Sequence, residues 1–241
     1  MSDGGTVSVV VPVKDEAGNV GPLAREIAAA LAGEPGVEII FVDDGSADGT
    51  ADVLAALKDE IRGLRVLRHE RNLGQSRAIR TGVRAARGAI IVTLDGDGQN
   101  DPADIPGLLT ALRAEAGVGL VSGVRTRRRD SPSRRLASRL GNGFRDLLLK
   151  DGAVDTGCGL KAFRREAFLD LPYFDHIHRF LIALMLREGW QVRFVPVNHR
   201  PRMSGVSKYT NLGRLLVSMQ DVLGVRWLQR RYRVRAGTRE L

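Results

Sequence analysis

Residues 89–102 read Ala-Ile-Ile-Val-Thr-Leu-Asp-Gly-Asp-Gly-Gln-Asn-Asp-Pro. Ala89–Leu94 is the most hydrophobic strand-like run of the chain, and it stops abruptly at an Asp-x-Asp pair. A short apolar run without alternation is what a parallel strand buried on both faces requires. The same form recurs upstream. Thr6–Pro12 is a β-branched run leading to Glu16, and Val37–Val42 is closed by Asp43-Asp44-Gly45-Ser46. Helical spacing over Val20–Ala32, about Thr50–Ile61 and Gln75–Ala86, with a strand at Leu64–His69, separates these runs into βαβ units. Right-handed crossovers then bring the C-terminal ends of the parallel strands to one edge of the sheet, where ligands of such folds collect. The expected fold class is α/β: a Rossmann-like, mostly parallel sheet flanked by helices.

Downstream, the pattern predicts a helix from about Pro106 to Ala114, a strand at Gly119–Gly123, a helix near Phe180–Arg187, a strand near Gln191–Val197 and a final helix over about Leu212–Leu228. The chain has 241 residues, 43% of them hydrophobic, which is enough to bury a substantial core and excludes a disordered chain. A single cysteine, Cys158, excludes an internal disulfide, and no apolar run approaches the roughly 20 residues that cross a bilayer. The opening residues lack a signal-like leader, so the expected location is the cytoplasm. No repeat or linker divides the chain; the reading is a catalytic domain over 1–210 and a basic, amphipathic helix and tail over 211–241.

Charge is uneven. Residues 1–100 carry 11 Lys/Arg against 15 Asp/Glu, whereas the whole chain has a net charge of +9, so the excess sits in the second half. That asymmetry points to an anionic partner. With 5% aromatic residues the basic half lacks the stacking platforms of a single-strand binder, so no nucleic-acid partner is expected.

Glu16, Asp43, Asp44, Asp95 and Asp97 all fall at strand ends that should converge. Hard carboxylate oxygens at Asp95 and Asp97 suit Mg²⁺ or Mn²⁺, completed by water and a substrate diphosphate, and the Gln99 amide oxygen could join them. An isolated Asp-x-Asp more often caps a loop or helix; the neighbouring clusters reverse that balance in favour of the metal.

Six motifs in order carry a resemblance: Val-Pro-Val-Lys-Asp-Glu (11–16), Val-Asp-Asp-Gly-Ser-x-Asp-Gly-Thr (42–50), Asn-x-Gly (72–74), Leu-Asp-Gly-Asp-Gly-Gln-x-Asp-Pro (94–102), Ser-Gly-x-Arg (122–125) and Arg-x-x-Gly-x-Ser-Lys-Tyr (202–209). Together they resemble the polyprenyl-phosphate branch of the family 2 glycosyltransferases, which includes dolichol-phosphate mannose synthase. The resemblance implies a GT-A fold, a nucleotide-diphosphate sugar donor such as GDP-mannose or a UDP-sugar, a divalent metal, and inverting transfer to a polyprenyl phosphate. It also implies roles. Pro12, Lys14, Glu16, Val42 and Asp44 would line the nucleotide pocket together with Asp95 and Gly96. Asp95, Asp97 and Gln99 would hold the metal. Arg125, Arg202 and Lys208 would act with Asp97 in catalysis by facing the phosphates of donor and acceptor. Two residues depart from the pattern: Lys14-Asp15 stands where relatives often have Tyr-Asn, and Gly96 where many have Ala.

Chemistry supports the same picture. A phosphate monoester is largely anionic at neutral pH, so it needs no protein base, and no Ser-His-Asp arrangement is evident. The segment from Arg125 to Arg145 carries eight arginines; it either crosses the active site when anions are bound or forms a solvated, lipid-facing patch. Asp155-Thr156-Gly157-Cys158-Gly159-Leu160 resembles the family's acceptor-side turn, its glycines serving a tight backbone. In the last helix Leu212, Leu215, Leu216, Met219, Val222, Leu223 and Trp227 fall near one face, with Arg226, Arg230 and Arg231 at its end. That face either lies on an anionic membrane surface or packs on the domain's own core. Peripheral association with the inner face of the cytoplasmic membrane is the expectation; oligomeric state is open. The alternative activity is transfer to a soluble glycan or protein, whose hydroxyl would need a further catalytic carboxylate.

Overall fold

The computed structural model describes residues 5–126, 145–201 and 211–232, with side chains from 219 onward in the last segment. Arg202, Lys208 and most of the arginine-rich segment lie outside the described residues. Seven strands form one sheet in the order β3-β2-β1-β4-β6-β5-β7. The strands are β1 (Val7–Val13), β2 (Glu38–Asp43), β3 (Leu64–Arg68), β4 (Ile90–Thr93), β5 (Val118–Arg125), β6 (Lys161–Arg164) and β7 (Gln191–Val197). β1 pairs in parallel with β2 and β4, β2 with β3, and β5 with β7. Only β6 runs against its neighbours, inserted between β4 and β5.

The helices are α1 (Ala17–Ala30), α2 (Thr50–Ala56), α3 (Gln75–Ala85), α4 (Ile105–Arg113), α5 (residues 145–149), α6 (Arg165–Leu169), α7 (Leu181–Arg187) and α8 (Asn211–Arg231). The two-residue period of a strand divides them into two layers. Val9, Val11, Ile39 and Phe41 face one layer with Leu23 and Ile27 of α1 and Leu108 and Leu112 of α4. Val10, Ile40 and Val42 face the other with Ala78 and Val83 of α3 and Leu184 of α7. Burial on both faces is why β1, β2 and β4 read as unbroken apolar runs. At Gly82 of α3, a Cβ would stand 2.4 Å from Val10 Cγ1, so the glycine sets how closely this helix approaches the sheet.

The final helix departs from its predicted face. Val222 and Val225 are 3% and 1% exposed and join the second core layer, whereas Met219, Leu223 and Trp227 are 41%, 56% and 59% exposed. Val222 and Leu223, about 100° apart as neighbours on a helix, fall on either side of the edge of the buried face, so one flank of the helix packs on the body. His176 Nδ1 lies 2.9 Å from Asp221 Oδ2, and Gln229 Nε2 donates to the Leu149 carbonyl at 3.1 Å, fixing α8 to the body. No helix among the described residues is long and apolar enough to cross a membrane.

Candidate active site

The exits of β1 and β2 are sewn to each other. Asp15, in the left-handed region at φ +52°, donates its N–H to Ser46 Oγ at 2.8 Å, and Glu16 donates its own to Thr50 Oγ1 at 2.8 Å. Lys14 Nζ donates to the Gly45 carbonyl at 3.0 Å, and Glu16 Oε2 accepts from Asn19 Nδ2 at 2.6 Å. Asp44 is buried, and its carboxylate accepts the N–H groups of Leu73 and Gly74, each at 2.8 Å, and faces His69 Nδ1 at 2.8 Å. It thereby hangs the Asn72-Leu73-Gly74 loop, and with it the start of α3, from the end of β2. Lys14, Glu16 and Asp44 stand at the expected edge, each already engaged in holding a loop. Val42 is different: strand alternation turns its side chain into the second core layer, where it is fully buried, and it presents no side-chain surface to the edge.

Beyond β4, Asp95 accepts from Gln75 Nε2 at 2.8 Å, and its N–H donates to Asn100 Oδ1 at 3.2 Å. Asp97 Oδ1 accepts the Gln99 N–H at 3.1 Å across a turn in which Gly98 takes φ +73°. The Gln99 side-chain amide donates to the Arg200 carbonyl at 3.4 Å, which leaves its oxygen as the atom able to face a cation. Burial, and then the neighbouring charge of Asp97, push Asp95 up to about 6. Two carboxylates that repel each other in a desolvated setting fit a divalent cation. Among the described residues no third acid, histidine or cysteine joins them. Water and diphosphate oxygens would complete the shell, as oxygen-loving cations that keep several waters allow. Gly96 is more than a relaxed backbone position: a Cβ there would stand 2.5 Å from Val13 Cγ1 and 3.1 Å from the Pro12 carbonyl. The departure from Ala thus lets the 95–97 turn close down on the end of β1.

The antiparallel β6 brings the 155–160 turn to the same edge, with Thr93 of β4 opposite Lys161. A Cβ on Gly159 would collide with the Asp95 carboxylate, so this glycine contributes room for a site residue and not only a tight backbone. Arg125, expected to face phosphates, is instead held by Asp155: its Nε and Nη2 donate to the two carboxylate oxygens at 2.7 and 2.8 Å. Asp155 is 3% exposed, and its bonds to Arg125 raise the guanidinium further above its ordinary value. Cys158 is buried, and burial pushes its thiol up, which suits packing and not nucleophilic chemistry.

A pocket of about 210 Å³ opens here between Pro12, Gln75, Asp95, Gly159, Lys161 and His178. Three of these had not been anticipated. Gln75 directly follows the Asn-x-Gly motif, and that adjacency was the available signal. Lys161 is 5% exposed and donates to the Cys158 carbonyl; burial pulls its ammonium down against the opposing pull of Cys158, Asp95 and Asp155. His178 Nδ1 lies 2.7 Å from Ser76 Oγ, and burial, followed by the charges of Arg179 and Lys161, pulls it down to about 3. Nothing in the local sequence marks either residue.

Residues 8–171 match the model of glycosyl transferase family 2. The chain belongs to that family. This family 2 chain is 35% identical to the dodecaprenyl-phosphate galacturonate synthase of Rhizobium johnstonii, over 96% of its own length and 69% of the relative's. It is 37% identical to the undecaprenyl-phosphate 4-deoxy-4-formamido-L-arabinose transferase of Edwardsiella ictaluri, over 90% of its own length and 66% of the relative's. It thus spans about two thirds of these relatives. Among solved structures, mannosyl-3-phosphoglycerate synthase from Rubrobacter xylanophilus matches with a TM-score of 0.71 at 25% identity, over 95% of this chain and 75% of that one. Glucosyl-3-phosphoglycerate synthase from Mycobacterium tuberculosis, crystallised with Mn²⁺, UDP and glucosyl-3-phosphoglycerate, matches with a TM-score of 0.71 at 21% identity, over 94% and 80%. The fold of this family 2 glycosyltransferase is therefore the GT-A fold.

Proposed function

We propose that the protein transfers a sugar, with inversion, from a nucleotide-diphosphate sugar to a polyprenyl phosphate at the inner face of the cytoplasmic membrane. The observation that carries this reading is the pairing of Asp95 with Asp97 at the exit of β4, beside the Pro12 end of β1 and the pocket. The relatives with polyprenyl phosphates in their names support the acceptor. Asp95, Asp97 and the Gln99 oxygen would hold Mg²⁺ or Mn²⁺, and Pro12, Lys14, Glu16, Asp44 and Gly96 shape the donor side. When bound, the cation offsets the charge that builds on the leaving diphosphate.

The residues of the chain do the rest. Gln75 fixes one oxygen of Asp95, so the carboxylate is oriented before substrate arrives. The acceptor phosphate is its own nucleophile, so the protein's task is to screen two anions and align them. The Arg125–Asp155 pair anchors the start of the arginine-rich segment beside the pocket, and Arg202 and Lys208 supply further positive charge. Contact with the membrane falls to the outward row of Met219, Leu223 and Trp227 on α8, with Arg231 over the Trp227 ring at 5.9 Å. The domain line at 210 marks where this helix begins, although Val222 and Val225 pack it into the second core layer of the body.

The test is a transfer assay with purified protein, Mn²⁺ and a panel of UDP- and GDP-sugars, comparing a short polyprenyl phosphate with soluble oligosaccharide and peptide acceptors. Lipid-linked product from one donor, lost in Asp97→Ala, is the expected result. Product on a soluble acceptor alone would replace this reading with the same-fold alternative.

A further inference from the structure

The pocket at the exit of β4 has a charge pattern that a neutral sugar does not use. Its wall carries Lys161 and Arg179 beside Gln75, Thr156 and His178. Asp155 commits both oxygens to Arg125. Asp95 faces Asp97 and the cation that this pair fits. His178 stays neutral, so it offers one hydrogen bond and no charge. Among the described residues Arg179 forms no ion pair, and the one acceptor placed against the Lys161 ammonium is the Cys158 carbonyl. With Asp155 bonded to Arg125 and Asp95 set against Asp97, the two cations on the wall of this small, partly enclosed space outnumber the carboxylates left to them. A buried ammonium is costly unless paired, and a guanidinium fork matches the two oxygens of a carboxylate. The volume, about 210 Å³, lies below the range of drug-sized sites and accommodates a single ring.

We propose that this pocket receives the sugar ring of the donor and selects rings that bear a carboxylate, with Lys161 and Arg179 as the residues that bind it. The inference rests on the donor-site reading above and deepens it to a substrate class, the nucleotide-diphosphate uronates. Neutral sugars satisfy Gln75, Thr156 and His178 but leave the two cations unmatched. The acceptor's phosphate offers a similar anion, and the test separates the two sources.

Titration calorimetry with Mn²⁺ compares UDP, UDP-glucose with UDP-glucuronate, UDP-galactose with UDP-galacturonate, and GDP-mannose with GDP-mannuronate. In the wild-type protein one uronate donor should bind about tenfold tighter than its neutral counterpart, the scale of one charge-assisted contact. Lys161→Met and Arg179→Gln should each bring that ratio to within about twofold, and Arg179→Gln should leave binding of the bare nucleoside diphosphate as before. Replacement of a buried charge by an apolar side chain of similar length is tolerated in many cores; if Lys161→Met fails to fold, the part-exposed Arg179→Gln decides alone. Equal binding of uronate and neutral donors in every pair overturns the proposal, as does a ratio that the variants leave unchanged. A rise in KM for polyprenyl phosphate in Lys161→Met, equal for both donor types, assigns the cations to the acceptor and also overturns it. Loss of all nucleoside diphosphate binding in the wild type would instead remove the donor site itself.

Discussion

Gly159 and Asp95 occupy a space that only one side chain can fill: a Cβ built on Gly159 stands 2.4 Å from Asp95 Oδ2 and 2.5 Å from Asp95 Cγ. The carboxylate is also bonded to Gln75, so it can give way only by breaking that hydrogen bond. Gly159→Ala should therefore displace Asp95 while leaving the sheet in place. Transfer should fall by roughly a hundredfold, the cost of a misplacement of about an ångström in a preorganised site. Circular dichroism should show an unchanged fold, and Mn²⁺-dependent binding of the nucleoside diphosphate should weaken in parallel. Wild-type turnover in Gly159→Ala would mean that Asp95 is free to move and is not a metal ligand.

Asp95 makes the metal-free protein pH-sensitive in a defined direction. Its folded-state pKa, about 6, lies above the ordinary value of 3.8, so the native state holds this proton more tightly than the unfolded chain. The resulting stabilisation is full below pH 3.8 and is lost as pH rises through 6. The difference corresponds to about 3 kcal/mol. Asp95→Asn keeps an acceptor for Gln75 and removes the charge. In EDTA it should melt higher than wild type at pH 8, with the gap closing by pH 4, and it should be inactive at both. Thermal melts across that range check the sign; a gap that widens in acid would contradict it.

The Arg125–Asp155 pair is a buried clamp between the end of β5 and the turn before β6. Removing one partner leaves the other desolvated and unpaired, which typically costs about 3–5 kcal/mol. Asp155→Ala should lose about that much in urea unfolding, and the double variant Asp155→Ala/Arg125→Met should recover part of it. Similar losses in the single and double variants would show that the coupling is weak.

Met219, Leu223 and Trp227 form a row on α8 that the body does not cover, with the basic end of the helix beside it. Leu223→Ser/Trp227→Ser should lower association with vesicles containing anionic phospholipid by roughly tenfold or more, since each large apolar side chain buried is worth about 2 kcal/mol. The melting temperature should hold, because neither side chain is part of the core. Sedimentation with vesicles measures the first and differential scanning calorimetry the second.

The parallel half of the sheet was legible because its strands are buried on both faces. Val7–Val13, Glu38–Asp43 and Gln75–Ala85 fall within a residue or two of the sequence reading. Asp95 and Asp97 were legible for the same reason, as acids at the end of an apolar run. β6 was not. Lys161-Ala-Phe-Arg164 is four residues long with a charge at each end, and only its neighbours β4 and β5 make it a strand. Lys161 was missed with it, since a lysine at a strand end ordinarily points to water. His178 lies in a 3₁₀ turn and owes its partial burial to α3, about a hundred residues earlier in the chain, where Ser76 meets it. Arg125 was read from the sequence as facing phosphates, but its tie to Asp155 spans 30 positions and leaves no local mark. The two-sided character of α8 escaped because the helical spacing that groups Val222 with Leu223 cannot say which flank meets the body.

The reversed strand separates two kinds of change that the chain can undergo. Thr93 and Lys161 are in register across β4 and β6, so the distance from the carboxylate turn to the 155–160 turn is set by backbone pairing and is independent of how much chain runs between β5 and β6. Length can change within that stretch without moving Thr93 relative to Lys161, whereas a substitution at Asp155 or Gly159 reaches Arg125 or Asp95 directly.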